Sequence, residues 1–194
     1  MSDTRENTYK SNRDNRSDNR SDNRSDNRSD NRNIHNNRHD RPVKRKRVVS
    51  AGFVVRSDDG KYLIGRTTKY PKDQCWTVFK GQQEYGESLI ATATRELKEE
   101  AGIDILRSPE LQLSQSTSPY FSFAMKDKDV VLYLLNDDKG ILPKDVEQFK
   151  CASYWGPNKT PEICEFKWSS LDEMEELVFP SQRGLVDHLR KSNL

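Results

Sequence analysis

Residues 81–103 read GQQEYGESLIATATRELKEEAGI, and this stretch decides the fold more than any other part of the chain. The polar residues 86–88 supply the start that a helix needs. Apolar residues then recur near the helical period, at Leu89, Ile90, Ala93, Leu97 and Ala101. Gly102 suits the position just after a helix, where the backbone often becomes left-handed. We therefore predict one amphipathic helix from about Ser88 to Ala101.

Three carboxylates crowd one side of this predicted helix. Glu96 and Glu100 are four residues apart, and Glu99 is three residues beyond Glu96. Like charges at these separations repel, whereas a hard divalent cation such as Mg²⁺ prefers oxygen ligands and would neutralise the cluster. The alternative is an ordinary solvated helix, in which Glu and Lys pairs add only ~0.2–0.5 kcal/mol each. The crowding favours a cation site.

The wider spacing of the segment resembles the signature of the Nudix hydrolases. The matching positions are Gly81, Glu87, Arg95, Glu96, Leu97, Glu99, Glu100, Gly102 and Ile103. The resemblance implies an α/β fold, an α/β/α sandwich with a mixed β-sheet. It also implies a hydrolase acting on phosphoric anhydride bonds, which cleaves a nucleoside diphosphate linked to another moiety with Mg²⁺ or Mn²⁺ as the cofactor.

The resemblance also assigns roles to individual residues. The expected metal ligands are Glu96, Glu99 and Glu100, with a backbone carbonyl near Lys80 or Gly81. Glu87 becomes a supporting residue of the metal site, and Arg95 organises the loop by pairing with an acidic neighbour. Gly81 and Gly102 are structural positions of the motif.

The catalytic base varies among proteins of this kind. In some it lies within the helix, where Glu99 would serve. In others it lies in a later loop, where relatives carry an acidic residue near a Trp, and here Glu162 and Glu165 precede Trp168. Glu162 is our choice, Glu147 is a further candidate, and solvated loop acids are the alternative.

Candidate substrate contacts are fewer. Trp76 and the pair Lys80-Gly81 resemble the entry to the motif in dinucleoside polyphosphate and RNA 5′-pyrophosphohydrolases, although Phe79 replaces a Pro. Tyr120 has the spacing of a dinucleoside polyphosphate hydrolase, whereas the adjacent Pro119 has that of an ADP-ribose hydrolase. Core packing is the alternative for both aromatic residues. The basic residues that could contact phosphates, unless they form a solvated face, are Arg66, Lys69, Lys72 and Lys80.

These patterns predict a dinucleoside polyphosphate or an RNA 5′ end as substrate, with ADP-ribose or a nucleotide sugar as the alternative. We do not expect catalysis by histidine, because His35 and His39 lie in the N-terminal arm and His188 lies in the last predicted helix. The sequence also lacks the phosphate-loop motif GxxxxGK[ST]. The glutamates are therefore the candidate catalytic groups.

The N-terminal arm, residues 1–47, differs from the rest of the chain. Within it, Ser11–Arg32 reads Ser-Asn-Arg-Asp-Asn-Arg and then repeats Ser-Asp-Asn-Arg, with no apolar residue, so we expect disorder. The arm holds 14 Lys and Arg against 8 Asp and Glu, whereas residues 48–194 hold 19 against 23. The basic cluster Lys44–Arg47 could contact RNA or act as a nuclear address. A non-catalytic nucleic-acid-binding protein on a Nudix fold is therefore a second hypothesis.

Residues 48–194 are predicted to form the hydrolase domain. Apolar and β-branched runs predict strands near 48–56, 61–66, 76–79, 111–118, 121–125, 129–136 and 162–170. A turn at 57–60 should join the first two strands, and a second helix is expected from about Pro180 to Lys191. With no apolar run of membrane-spanning length and no secretory signal, we expect an intracellular, cytoplasmic protein.

Overall fold

The computed structural model describes residues 47–70, 75–114 and 116–192. The expectations for the arm before Arg47, and for Lys72, fall outside these ranges. The strands are β1 (Val48–Ser57), β2 (Tyr62–Thr67), β3 (Trp76–Thr77), β4 (Phe79–Gln82), β5 (Phe121–Ala124), β6 (Lys128–Asp137), β7 (Tyr154–Trp155), β8 (Thr160–Pro161) and β9 (Ile163–Ser169). The helices are α1 (Leu89–Ala101), α2 (Pro109–Ser114), α3 (Leu171–Leu177) and α4 (Arg183–Lys191).

Seven of these strands form one mixed sheet around β1. Strand β1 pairs in parallel with β6 along its whole length, from Val48 opposite Lys128 to Ser57 opposite Asp137. It also pairs antiparallel with β2 and with β4. Strand β9 extends the sheet from β2, β3 also pairs with β2, and β5 pairs with β6. Strands β7 and β8 form a separate hairpin.

Helices cover both faces of the sheet. Successive side chains of β1 point to opposite faces, so the strand contributes to a core on each side. Phe53 and Val55 pack in a core with α1 residues such as Leu97. Val54 packs in a second core with residues from α3 and α4, including Met174 and Leu185. The predicted sandwich with a mixed sheet is therefore confirmed. No helix in the described ranges has the length and apolar character needed to cross a membrane.

Helix α1 begins and ends as its sequence predicts. The Ser88 hydroxyl accepts a hydrogen bond from the N–H of Ala91, which caps the first turn. Gly102 has a φ of 73°, and its N–H donates to the carbonyl of Lys98. Both ends are set by local residues, which explains why spacing alone located the helix.

Most predicted strands are confirmed, and the exceptions have local causes. The strand expected at 111–118 is wrong, because residues 111–114 belong to α2. Pro109 occupies the first helical position, which its fixed φ favours, and the N–H of Gln112 donates to the carbonyl of Ser108. The strand expected at 76–79 is split between β3 and β4, which pair with different neighbours.

Helix α3 was missed, although its start carries a recognisable signal. The Ser170 hydroxyl accepts from the N–H of Glu173, and the Glu173 carboxylate accepts from the N–H of Ser170. This reciprocal capping box follows from the spacing Ser-x-x-Glu. The helix expected from Pro180 is confirmed, with a 3₁₀ turn at Pro180–Gln182 leading into α4.

Replacing Gly102 by Ala should destabilise the protein more than replacing Gly86 by Ala. Both glycines have positive φ, at 73° and 86°, so both variants carry the left-handed penalty of roughly 1–2 kcal/mol. A Cβ at Gly102 would also lie 3.0 Å from the carbonyl oxygen of Lys150, whereas at Gly86 nothing lies within 4 Å. Urea denaturation of both variants measures the difference, and equal losses would contradict this account.

Candidate active site

A cavity of about 800 Å³ opens beside the C-terminal half of α1. Its wall includes Glu96, Glu99 and Glu100 from the helix, and Lys80 and Gly81 from β4. Glu162, which is distant in sequence and lies just before β9, borders the same cavity. The fold therefore brings the three motif carboxylates together with one later acid that the sequence had singled out.

The carboxylates of α1 pack directly on the backbone of β4. A Cβ at Gly81 would lie 2.0 Å from the carboxyl carbon of Glu96, so a side chain here would displace that carboxylate. One carboxylate oxygen of Glu100 accepts a hydrogen bond from the N–H of Lys80 at 2.7 Å. These two contacts fix the register of α1 against β4.

Arg95 joins the helix to the loop before it. Its Nε donates to Glu87 at 2.9 Å, one Nη donates to Glu96 at 2.7 Å, and the other donates to the carbonyl of Gln82 at 3.0 Å. A longer contact of 3.4 Å reaches Glu99. Arg95 therefore ties the helix to Glu87 and to the backbone of Gln82 in the segment before it.

Glu87 is the best-satisfied carboxylate of the loop. Besides Arg95, it accepts hydrogen bonds from the hydroxyl of Thr92 at 2.8 Å and the N–H of Glu84 at 3.1 Å. The ionic hydrogen bonds with Arg95 lower the pKa of Glu87 to about 2. Glu87 thus stabilises the loop, and it is not among the residues that border the cavity.

Burial dominates the electrostatics of the inner carboxylates. Glu96 is 8% exposed and Glu100 is 6% exposed. Burial raises the pKa of both above the ordinary value, and in Glu96 it outweighs the opposing effect of Arg95. Burial also lowers the pKa of the Lys80 ammonium, although the nearby Glu100 opposes this. Burial therefore outweighs the ion pair with Arg95 at Glu96 and the attraction of Lys80 at Glu100.

The donor set at this cavity fits a hard divalent cation in its chemistry. Carboxylate oxygens and a backbone carbonyl are the ligands that Mg²⁺ and Mn²⁺ prefer. Within the described residues, no group of three acidic, His or Cys side chains meets the geometry of a formed metal site. The reason is visible in the contacts, because Glu96 and Glu99 turn toward Arg95 while Glu100 accepts from Lys80.

The other acids considered for catalysis lie elsewhere. Glu165 accepts a hydrogen bond from Arg66 Nε at 2.6 Å on the exposed surface, so neither residue borders the cavity. Glu147 is also exposed and lies outside it. Among the proposed bases, Glu99 and Glu162 are the two whose positions border the cavity.

Two aromatic residues expected to contact substrate pack in or against the second core. Trp76 is buried in the second core with residues of α3 and α4. The ring of Tyr120 packs edge-on against His188 of α4, with 4.9 Å between ring centroids. Neither of them borders the cavity, nor does Arg66, so their contact with substrate stays a prediction.

Several residues of the cavity wall were not singled out from the sequence. Aromatic residues come from Tyr70, Phe123, Trp155 and Phe179, and a further lysine comes from Lys128 of β6. Lys69, which was expected to contact phosphates, also borders the cavity. An isolated Trp in the polar segment 137–161 was the one available signal for Trp155.

The NUDIX domain family model matches residues 46–189. Among solved structures, a C. elegans Ap4A hydrolase is 21% identical with a TM-score of 0.54, over 74% of this chain and 95% of that one. A MutT protein from Methanosarcina mazei is 21% identical with a TM-score of 0.51, over 75% and 94%. A bifunctional NMN adenylyltransferase/ADP ribose pyrophosphatase from Francisella tularensis is 17% identical with a TM-score of 0.56, over 75% and 41%. A search of curated proteins gave no match.

The chain therefore belongs to the Nudix family. It is a hydrolase of the class that acts on phosphoric anhydride bonds, and members of this class generally use divalent metal ions. All three structures are less than 25% identical to this chain, so these likenesses support the fold alone.

Replacing Glu87 by Gln should reduce the loss of folding stability that the wild-type protein shows as the pH falls below 4.5. The pKa of Glu87 falls from 4.5 to about 2 on folding, so its contribution is fully present above pH 4.5 and is lost as the pH falls toward 2. The stability difference between wild type and Glu87→Gln should be largest near neutral pH and should shrink below pH 4.5. Urea denaturation across this range measures it.

Glu147→Gln is the matched control, because Glu147 is an exposed acid outside the cavity. It should keep the wild-type dependence on pH. A difference between wild type and Glu87→Gln that stays constant down to about pH 2 would contradict the assigned role of the ion pair.

Proposed function

We propose that this protein is a Mg²⁺- or Mn²⁺-dependent pyrophosphohydrolase that cleaves a nucleoside diphosphate linked to another moiety. The preferred substrate is a dinucleoside polyphosphate or an RNA 5′ end. The observation that carries the proposal is that Glu96, Glu99 and Glu100 from α1 border the same cavity as Glu162. The family supplies the reaction class, and the contacts of these residues support the roles that follow.

Glu96, Glu99 and Glu100 are proposed to hold the cation, with the carbonyl of Gly81 or Lys80 as a further oxygen ligand. In this role a divalent cation polarises the phosphorus centre and lowers the pKa of a bound water. Burial of Glu96 and Glu100 supports the assignment, since burial disfavours their charged forms and a bound cation would favour them.

Glu162 is proposed to act as the general base. Its carboxylate takes the proton of the attacking water as the water oxygen bonds to phosphorus and the anhydride P–O bond breaks. Glu162 borders the cavity without belonging to α1, so it can face the water from outside the carboxylate cluster. Lys80 and Lys128 border the same cavity and can offset the charge of the phosphates.

The size and lining of the cavity favour a nucleotide over a bare phosphate chain. Its volume of about 800 Å³ lies in the usual range for small-molecule sites, about 300–1,000 Å³. Aromatic and basic groups lie in the same wall. The C. elegans Ap4A hydrolase and the Francisella ADP ribose pyrophosphatase share the fold, so both compounds belong in the first substrate panel.

Glu96→Gln and Glu100→Gln should each abolish turnover while leaving the fold intact. Losing a cation ligand removes several kcal/mol of transition-state stabilisation, so kcat should fall by about 100-fold or more. The assay uses a dinucleoside polyphosphate, RNA with a 5′-triphosphate and ADP-ribose, each with Mg²⁺ and with Mn²⁺. Circular dichroism checks that each variant is folded.

The cation itself provides a second measurement for the same variants. Mg²⁺ or Mn²⁺ should raise the thermal midpoint of the wild-type protein, because binding to the native state stabilises it. This shift should be smaller in Glu100→Gln and unchanged in Glu147→Gln. Full activity in both cavity variants would overturn the proposed metal site.

Glu162→Gln should lower kcat by about 10²–10⁴-fold, the usual contribution of a general base, while leaving the cation-induced stabilisation intact. Glu165→Gln is the matched comparison, because Glu165 lies three residues away on the exposed surface and is paired with Arg66. It should retain wild-type kcat. A large loss in Glu165→Gln but not in Glu162→Gln would exchange the two assignments.

A further inference from the structure

The hairpin formed by β7 and β8 places an exposed Trp at the rim of the cavity. Trp155 is 43% exposed, and its side chain borders the same cavity as the α1 carboxylates. Large aromatic side chains usually bury their rings unless they meet a ligand or partner. The adjacent Tyr154 is 54% exposed but is not part of the cavity wall. The hairpin therefore turns one aromatic ring toward the cavity and the other away from it.

Lys69 and Tyr70 lie beside Trp155. The Nζ of Lys69 lies 5.1 Å from the centroid of the Trp155 ring and 5.8 Å from that of Tyr70. Tyr70 is 49% exposed, and its other side packs edge-on against Phe179, with 5.5 Å between centroids. An exposed cation between two exposed rings suits a ligand with a flat ring and a negative charge.

Hydrogen bonds hold this aromatic rim in place relative to α1. The N–H groups of Ala152 and Ser153 both donate to the carbonyl of Glu99, at 2.7 and 3.2 Å. The N–H of Glu162 then donates to the carbonyl of Ser153 at 2.9 Å. Both ends of the hairpin are thereby connected to residues of the proposed reaction centre.

The Lys69 side of the rim is connected to the same backbone. The hydroxyl of Thr68 donates to the carbonyl of Pro161 at 2.6 Å, and its N–H donates to the carbonyl of Glu162 at 3.1 Å. The positions of Trp155 and Lys69 are thus set by hydrogen bonds to neighbouring residues.

We propose that Trp155, Lys69 and Tyr70 form the subsite for the base of a nucleotide substrate. Trp155 is the stacking surface, Tyr70, the residue after Lys69, is a second aromatic contact, and Lys69 supplies positive charge toward the first phosphate. The proposal rests on the proposed function, because it identifies which end of the substrate lies at this rim. Stacking tolerates any base, so the subsite selects nucleotides over inorganic polyphosphates.

The test compares Trp155→Ala with Tyr154→Ala and measures binding without turnover. Isothermal titration calorimetry with AMP and, separately, with inorganic tripolyphosphate gives the dissociation constants in the presence of Mg²⁺. Trp155→Ala should weaken AMP binding by about tenfold to 100-fold, the usual value of one stacking interaction, and leave tripolyphosphate binding unchanged. Tyr154→Ala should bind both compounds as the wild type does. Trp155→Phe, which keeps an aromatic ring, should recover most of the AMP affinity.

Equal AMP affinity in the wild type and Trp155→Ala would overturn the subsite, as would equal losses in Trp155→Ala and Tyr154→Ala. A parallel loss of tripolyphosphate binding would instead show a general disturbance of the cavity, and would also overturn it. These outcomes are independent of hydrolysis. AMP binding that depends on Trp155 in a protein inactive on every phosphoanhydride would retain the subsite and reject the proposed function.

Discussion

The packing of α1 against the backbone of β4 is the constraint on which the site depends. Glu96 occupies the space that a side chain at position 81 would need, and Glu100 is held by the N–H of Lys80. Both contacts require the helix to sit at one register over the strand. Leu97, on the same helix, is fully buried against the sheet and holds that register from below. One interface therefore serves both the core and the carboxylates.

The same interface buries carboxylates whose charge is only partly compensated by neighbouring basic groups. Arg95 neutralises Glu87 and contacts Glu96, but Glu100 remains almost fully buried beside a lysine whose own pKa is lowered by burial. Burying acids without full compensation costs stability, and folded proteins rarely keep such groups unless they serve a purpose. A cation that joins Glu100 to its neighbours would remove the cost, which links the stability of this region to its chemistry.

The local features of the fold can be predicted from the sequence, whereas those that depend on strand pairing cannot. Helix α1 could be predicted because its cap at Ser88 and its left-handed end at Gly102 lie within one continuous segment. The packing of Trp76 and Tyr120 against the second core could not be predicted, because their spacing from the motif says nothing about which face of the sheet they occupy. Trp155 was not found at all, since its place at the cavity is set by hydrogen bonds from residues 152 and 153 to α1.

This division between local and long-range features has a functional consequence. The residues proposed for the reaction lie mostly in one contiguous segment, so their geometry is preserved whenever α1 docks on β4. The aromatic side chains of the rim instead come from two loops, at Tyr70 and Phe179, and from the β7–β8 hairpin at Trp155, which can change without disturbing that docking. Because residues 152 and 153 donate to the carbonyl of Glu99 and not to its carboxylate, the hairpin is anchored without occupying a proposed cation ligand. Substrate choice can therefore vary while the reaction centre is retained.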